Sequence, residues 1–321
     1  MIYIQIILGL VILIGGAELL VRGGVSIATR LGVSPLVIGM TIVAIGTSAP
    51  ELVVSINAAY SGSPGLALGN VIGSNIANVL LVFGVACVFS PMIEKSAASR
   101  GDAVFLTIGT LLFFVFCLRG VLDYLAGITL LVGIILFLSV SYWKKSSGSG
   151  LLEADIGEVG ESQGWLNSSW GAAFFLMVGF IGLTLGSELL VRGGSGVARE
   201  FGVSEEVIGL TLFALGTSLP ELAASIVASI KGHADIGLGN IIGSNLFNIL
   251  GVTGAAALTA PLLVHQQIMN FDIWVMLMSS AILVFILSFG WRIGRVMGTL
   301  FTLSYVGYIW VQSVGVGRVI G

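Results

Sequence analysis

Two short polar segments of this sequence carry groups well suited to binding a cation. The sequence GTSAPE occupies positions 46–51, and GTSLPE occupies positions 216–221. Each segment places a glutamate, a proline and two hydroxyl groups inside a stretch that is otherwise apolar enough to lie in lipid. Charged groups inside a bilayer are costly and mark ion or substrate pathways, so Glu51 and Glu221 are the first candidates for a functional site.

A second polar motif is duplicated with the same spacing. The sequence GNVIGSNIAN at 69–78 returns as GNIIGSNLFN at 239–248. Ser74 and Asn78 lie four residues apart and therefore share one helix face, as do Ser244 and Asn248. The asparagines at positions 75 and 245 point elsewhere, and a hydrogen bond that braces a neighbouring helix explains them as well as ion binding does.

All of these groups are oxygen ligands, joined by any backbone carbonyl that a helix break frees. Hard cations such as Ca²⁺ and Na⁺ prefer oxygen, whereas softer metals prefer Cys or His. His233 and His265 fall in predicted loops, and Cys87 and Cys117 are isolated in apolar segments, so no resident metal or other cofactor is expected. One Ca²⁺ or two Na⁺ would neutralise a pair of glutamates. The two ions could compete for one site, which is the physical basis of antiport.

The first motif also has a purely structural interpretation. Ser-x-x-Glu is a capping box, and proline fits the first turn of a helix, so the motif could simply restart a broken helix. The sequence does predict a break. A capping glutamate in the middle of a span is costly unless it is paired or solvated, however, and a duplicated break would bring both carboxylates to one centre. An ion site is the favoured interpretation.

Composition and apolar runs predict the elements that position these residues. The chain has 321 residues, of which 9% are charged, against roughly 25% in soluble domains. The net charge of -3 gives no reason to expect a nucleic-acid partner. Runs long enough to cross a bilayer, about 20 residues each, lie near 2–24, 37–60, 66–90, 102–118, 121–143, 168–194, 206–230, 236–260, 270–289 and 294–314.

The two halves of the chain are repeats. Gly16–Gly84 aligns with Gly186–Gly254 without a gap, and more than half of the positions are identical. Five spans in each half means that the second half enters the membrane from the opposite side. The sequence therefore predicts an all-α membrane protein with ten transmembrane helices in two inverted five-helix repeats. The broken second and seventh helices form the core, with substrate bound at the midplane.

The predicted organisation is an N-terminal repeat at 1–143, a linker at 144–167 and a C-terminal repeat at 168–321. The linker is rich in Ser, Gly and acidic residues that lack the spacing of an EF-hand loop, so a flexible connector is expected. Nine Lys and Arg residues lie on the linker side and four on the other. This bias places the linker in the cytoplasm and both termini outside the plasma (inner) membrane.

The paired motifs resemble the two alpha-repeats of the sodium/calcium exchanger family, within the calcium/cation antiporter superfamily. The resemblance covers nearly the whole chain, and the short linker resembles that of compact prokaryotic members. It implies a set of cation sites at the centre of the membrane. Their implied ligands are the carboxylates of Glu51 and Glu221, the backbone carbonyls of Thr47, Thr217, Ala44 and Ala214, the hydroxyls of Ser48, Ser74, Ser218 and Ser244, and the amides of Asn78 and Asn248.

The resemblance also implies Na⁺/Ca²⁺ antiport by alternating access, with the first and sixth spans sliding across a stationary core. Net positive charge would move inwards, and the protein would act as a monomer. Some relatives, including potassium-dependent exchangers, carry Asp where this chain has Asn248, so Asn argues against potassium co-transport.

Three other functions are alternatives. The first of them is an H⁺/Ca²⁺ antiporter or an antiporter of another divalent cation. A cation channel is disfavoured because the chain builds a two-fold site internally, whereas channels normally use several chains. An intramembrane enzyme is disfavoured because the spans contain no Ser–His or paired-Asp arrangement.

Overall fold

The fold is almost entirely helical, as predicted. The computed structural model describes residues 2–91, 100–146, 168–201 and 214–319. Within these ranges, seven helices are long and apolar enough to cross a membrane, or eight if one bent pair counts as a single span. The protein is therefore a multi-pass integral membrane protein, while the count of ten spans stays a prediction. Most of the linker, from residue 147, and the start of the seventh predicted span lie outside the described residues.

Helices of the first half match the predicted runs closely. The elements are α1 (Ile2–Leu31), α2 (Pro35–Thr47), α3 (Ala49–Tyr60), α4 (Pro64–Phe89), α5 (Arg100–Leu118), β1 (Val121–Leu122) and α6 (Tyr124–Ser146).

The second half follows the same order. Its described elements are α7 (Ser169–Glu200), α8 (Ala214–Thr217), α9 (Leu219–Ile230), α10 (Ala234–Thr259), β2 (Leu262–Leu263), α11 (Ile268–Phe289), α12 (Arg295–Val314) and α13 (Val316–Val319).

Two helices, α4 and α10, form the centre of the bundle. Of their apolar stretches, 78% and 83% are buried, against 33% and 28% for α1 and α7. Each central helix contains a π-helical turn, at Asn78–Phe83 and at Phe247–Val252. Such turns are rare and frequent at functional sites. The second motif of each half therefore lies on the two most buried of the described candidate spans.

Glycines bring α1 and α7 into backbone contact. A Cβ atom at Gly16 would lie 2.7 Å from the nitrogen of Leu183, and one at Gly186 would lie 2.5 Å from the nitrogen of Leu13. No side chain larger than hydrogen fits there without movement. Glycine is enriched at helix contacts in membranes for this reason.

One short element was not predicted. Val121 and Leu122 pair antiparallel with Leu263 and Leu262. Gly120, with φ 78°, ends the preceding turn and lets the chain extend. The fifth predicted span therefore becomes helical only at Tyr124, rather than at 121.

Candidate cation site

Two helix breaks place the glutamates. The axes of α2 and α3 differ by 45° across Ser48. Ser48 has φ −87° and ψ 9°, and Ser218, between α8 and α9, has φ −89° and ψ 1°. A proline follows two residues later in each case and fits the first turn of the new helix. Glu51 and Glu221 consequently occupy the first turns of α3 and α9, as the sequence predicted.

Both carboxyl groups are buried and largely without protein partners. Glu51 and Glu221 are each 0% exposed. Ser48 Oγ donates to Glu221 Oε1 at 2.9 Å, and this bond links the two halves of the chain. Glu221 Oε2 and both side-chain oxygens of Glu51 make no hydrogen bond to any described residue. An uncompensated buried carboxylate is strongly destabilising, so a bound cation or proton must neutralise these groups.

The other predicted polar ligands are buried as well. None of the ten polar side chains in the set is more than 8% exposed. Among the described residues, four further members have side-chain atoms without a hydrogen-bond partner: Asn78, Ser218, Ser244 and Asn248. Buried polar atoms are nearly always paired, so the unpaired oxygens of these four side chains are available to a ligand.

Hydroxyl side chains lie close to each glutamate. Ser74 and Thr217 lie close enough to Glu51 to act on its charge, and Thr47 lies close to Glu221. Each carboxyl group is thus approached by a threonine from the opposite half of the chain. In the described part of the chain, no group of three or more His, Cys, Asp or Glu residues is placed to hold a metal ion. The site is built from two carboxylates and neutral oxygens.

The predicted carbonyl ligands differ between the halves. Ala44 O accepts from Ser48 N at 3.0 Å, and Thr47 Oγ1 lies 3.4 Å from it. In the second half, Ser218 N bonds to Leu215 O at 3.1 Å, one residue closer along the chain. The break is therefore tighter in the second half.

Ser187 is a site neighbour that sequence reasoning missed. Pro220 has no N–H, so the carbonyl of Gly216 loses its usual helical donor. Ser187 Oγ on α7 donates to Gly216 O at 2.5 Å and replaces that donor. The signal was available, because position 187 is Ser where the first repeat has Ala17 beside an identical stretch.

Asn70 and Asn240 of the second motif, which the sequence does not mark as ligands, contact the backbone of the two glutamates. Asn70 Nδ2 donates to Glu51 O at 3.2 Å, and Asn240 Nδ2 approaches Glu221 O at 3.4 Å. Asn75, by contrast, donates to Val71 O of its own helix at 2.8 Å, rather than bracing a neighbouring helix. Duplication of the motif was the only sequence signal that set the first pair apart.

A sequence model described as sodium/calcium exchanger protein matches residues 1–143 and 171–314. The chain belongs to this family. It is 40% identical over 312 residues to the protein CaxA of Alkalimonas amylolytica, covering 95% of this chain and 96% of CaxA. It is 34% identical over 345 residues to the sodium/calcium exchanger MaX1 of Methanosarcina acetivorans, covering 96% of this chain and 97% of MaX1.

Solved structures of the sodium-calcium exchanger NCX_Mj have the same fold. One, soaked with Na⁺ and Sr²⁺, superposes with a TM-score of 0.79 at 34% sequence identity, covering 96% of this chain and 99% of that one. The family resemblance inferred from the two motifs is thereby confirmed. The family is one of transporters, in agreement with the prediction that this protein is not an enzyme. The identity of each ion ligand stays a prediction.

Proposed function

We propose that this protein exchanges Na⁺ for Ca²⁺ across the membrane by alternating access. The observation that carries the proposal is the pair of fully buried glutamates on duplicated helix breaks, three of whose four oxygens have no hydrogen-bond partner among the described residues. One Ca²⁺ would neutralise both carboxylates, and so would two Na⁺. We choose Na⁺ and Ca²⁺ as the exchanged ions because relatives of this chain are named sodium/calcium exchangers.

The proposed ion cage consists of the twelve residues implied by the family resemblance. Glu51 and Glu221 hold Ca²⁺ with the help of the threonine carbonyls. The serine hydroxyls and the alanine carbonyls line the flanking sodium positions, and the two asparagine amides face the middle site. Oxygen ligands of this kind suit both ions. Neutral Asn248 supplies no extra carboxylate, so we propose that transport is independent of potassium. Exchange of three Na⁺ for one Ca²⁺, the ratio that the family resemblance implies, would carry one net positive charge.

The transport cycle we propose moves α1 and α7 over the buried core. Glycine backbones bring these two helices into close contact with each other, which favours their movement as one pair. We further propose that the protein is a monomer with ten spans in two inverted repeats. Both termini would lie on the outer side of the inner membrane, opposite the cytoplasmic linker. The excess of Lys and Arg on the linker side supports that orientation.

Uptake of radioactive Ca²⁺ into proteoliposomes tests the function. Vesicles loaded with Na⁺ are compared with vesicles loaded with K⁺ or choline, with and without a pH gradient. We expect uptake only with internal Na⁺. An inward flow of K⁺ through valinomycin, which makes the vesicle interior positive, should enhance this uptake, and an outward flow of K⁺ should oppose it. Uptake that ignores Na⁺ and follows the pH gradient would replace the proposal with H⁺/Ca²⁺ antiport.

A further inference from the structure

The same hydrogen-bond network lies behind each glutamate of the site. In the first half, Asn70 Nδ2 donates to Glu51 O at 3.2 Å and to Ser55 Oγ at 2.9 Å. Ser55 Oγ in turn contacts Ala67 O at 3.5 Å. The network therefore ties the backbone of the glutamate on α3 to two points on α4.

The second half repeats every connection. Asn240 Nδ2 contacts Glu221 O at 3.4 Å and Ser225 Oγ at 3.1 Å, and Ser225 Oγ contacts Gly237 O at 3.4 Å. Asn240 and Ser225 are 0% exposed. A satisfied polar network in a low-dielectric interior fixes the groups it joins, and it is costly to break in part.

We propose that Asn70 and Asn240 are positioning residues for the two carboxylates, and that Asn240 also couples the two halves of the cation site. This inference rests on the proposed function. Neither asparagine belongs to the proposed ion cage. Each acts through the backbone of a glutamate, in the first turn of the helix that follows the break.

A further contact of Asn240 provides the coupling. Thr47 Oγ1 donates to Asn240 Oδ1 at 3.0 Å, and the next residue, Ser48, donates to Glu221 Oε1 at 2.9 Å. The chain Thr47–Asn240–Glu221–Ser48 therefore forms a closed ring that joins the helix break of the first half to the glutamate of the second. A shift of one break moves the ligands that belong to the other.

The geometry of a metal site depends on such supporting bonds. Loss of an outer hydrogen-bond partner typically weakens metal binding about 10- to 100-fold. A residue that only holds two helices together would instead lower thermal stability and leave the affinity of the folded protein unchanged. Affinity and stability, measured on the same sample, separate the two roles.

The test is equilibrium binding of radioactive Ca²⁺ to purified full-length protein, with the thermal unfolding midpoint measured without ions. Asn240→Ala is expected to weaken Ca²⁺ binding about 10-fold or more. Asn57→Ala is the matched control, because Asn57 is exposed on α3. It is expected to retain wild-type affinity.

Coupling between the halves is tested at Thr47. Thr47→Val removes the hydroxyl donor and leaves the backbone carbonyl in place, and it is expected to weaken Ca²⁺ binding. In the double variant with Asn240→Ala, the two losses are expected to be smaller than additive, because both changes break the same bond. Fully additive losses would overturn the coupling.

The outcomes separate this inference from the proposed function. Wild-type protein that binds neither Ca²⁺ nor Na⁺ would contradict the function itself. Wild-type binding with unchanged affinity in Asn240→Ala would overturn the positioning role, even if the unfolding midpoint falls. Should Asn240→Ala fail to fold, Ser225→Ala decides, because it deletes only one hydroxyl of the network: weaker binding supports the role, and unchanged affinity overturns it.

Discussion

Replacing Glu51 with glutamine should separate ion binding from folding stability. The substitution keeps the shape of the side chain and removes its charge. Both side-chain oxygens of Glu51 lack a hydrogen-bond partner in the described protein, so the amide loses no protein bond. Because Glu51 is also 0% exposed, removal of an uncompensated charge relieves a desolvation penalty. Without ions, the free energy of unfolding is therefore expected to stay the same or rise.

Binding of Ca²⁺ should change in the opposite direction. Removing one partner of a buried ion pair costs about 3–5 kcal/mol. At about 1.4 kcal/mol for each factor of ten, this is a loss of roughly a hundredfold to a few thousandfold in affinity. Exchange in proteoliposomes should accordingly fall to background.

The assay pairs Ca²⁺ uptake with thermal unfolding of the same preparation. Glu188→Gln is the control, because Glu188 is exposed and pairs with Arg192 on the surface of α7, where such pairs contribute about 0–1 kcal/mol. Near wild-type exchange in Glu51→Gln would refute the assignment of the carboxylate. A marked fall in ion-free stability would refute the claim that its oxygens are unpaired.

Three further substitutions test the surroundings of the site. Gly16→Ala places a methyl group 2.7 Å from a backbone nitrogen of α7, so it should lower the free energy of unfolding by about 1–3 kcal/mol and slow exchange. Gly15→Ala is the control, because a Cβ atom there has nothing within 4 Å, and it should do neither. Equal exchange rates in the two variants would argue against close contact between α1 and α7. Ser187→Ala should lower the free energy of unfolding by about 1 kcal/mol, measured by denaturation, because the carbonyl of Gly216 loses its donor. Asn248→Asp should alter ion selectivity or the pH dependence of uptake more than folding, and an unchanged pH profile would show that Asn248 does not face the ions.

Much of the candidate site could be predicted because both of its motifs occur twice in the sequence. Duplication at a fixed spacing singled out Glu51 and Glu221 among the acidic residues, and proline two residues after a serine predicted the helix breaks. Burial followed from hydrophobic surroundings. These are local properties, and periodicity and turn chemistry report local properties well.

Contacts between the halves could not be predicted in the same way. The motifs place Ser48 at a helix break and Asn240 on a helix, but they do not show that Ser48 reaches Glu221 or that Asn240 reaches Thr47. Those partners depend on how helices distant in sequence cross. The pairing of Val121 with Leu263 is equally non-local, and two residues are too few for a recognisable strand pattern.

The π-helical turns of α4 and α10 also set the register of the residues that follow them. A π turn closes with an i→i+5 hydrogen bond and therefore holds one residue more than an α-helical turn. Both turns overlap the end of the second motif, at Asn78–Phe83 and Phe247–Val252, so Asn78 and Asn248 lie within them. Deleting one residue from either turn would rotate everything that follows on that helix out of register with its counterpart in the other half.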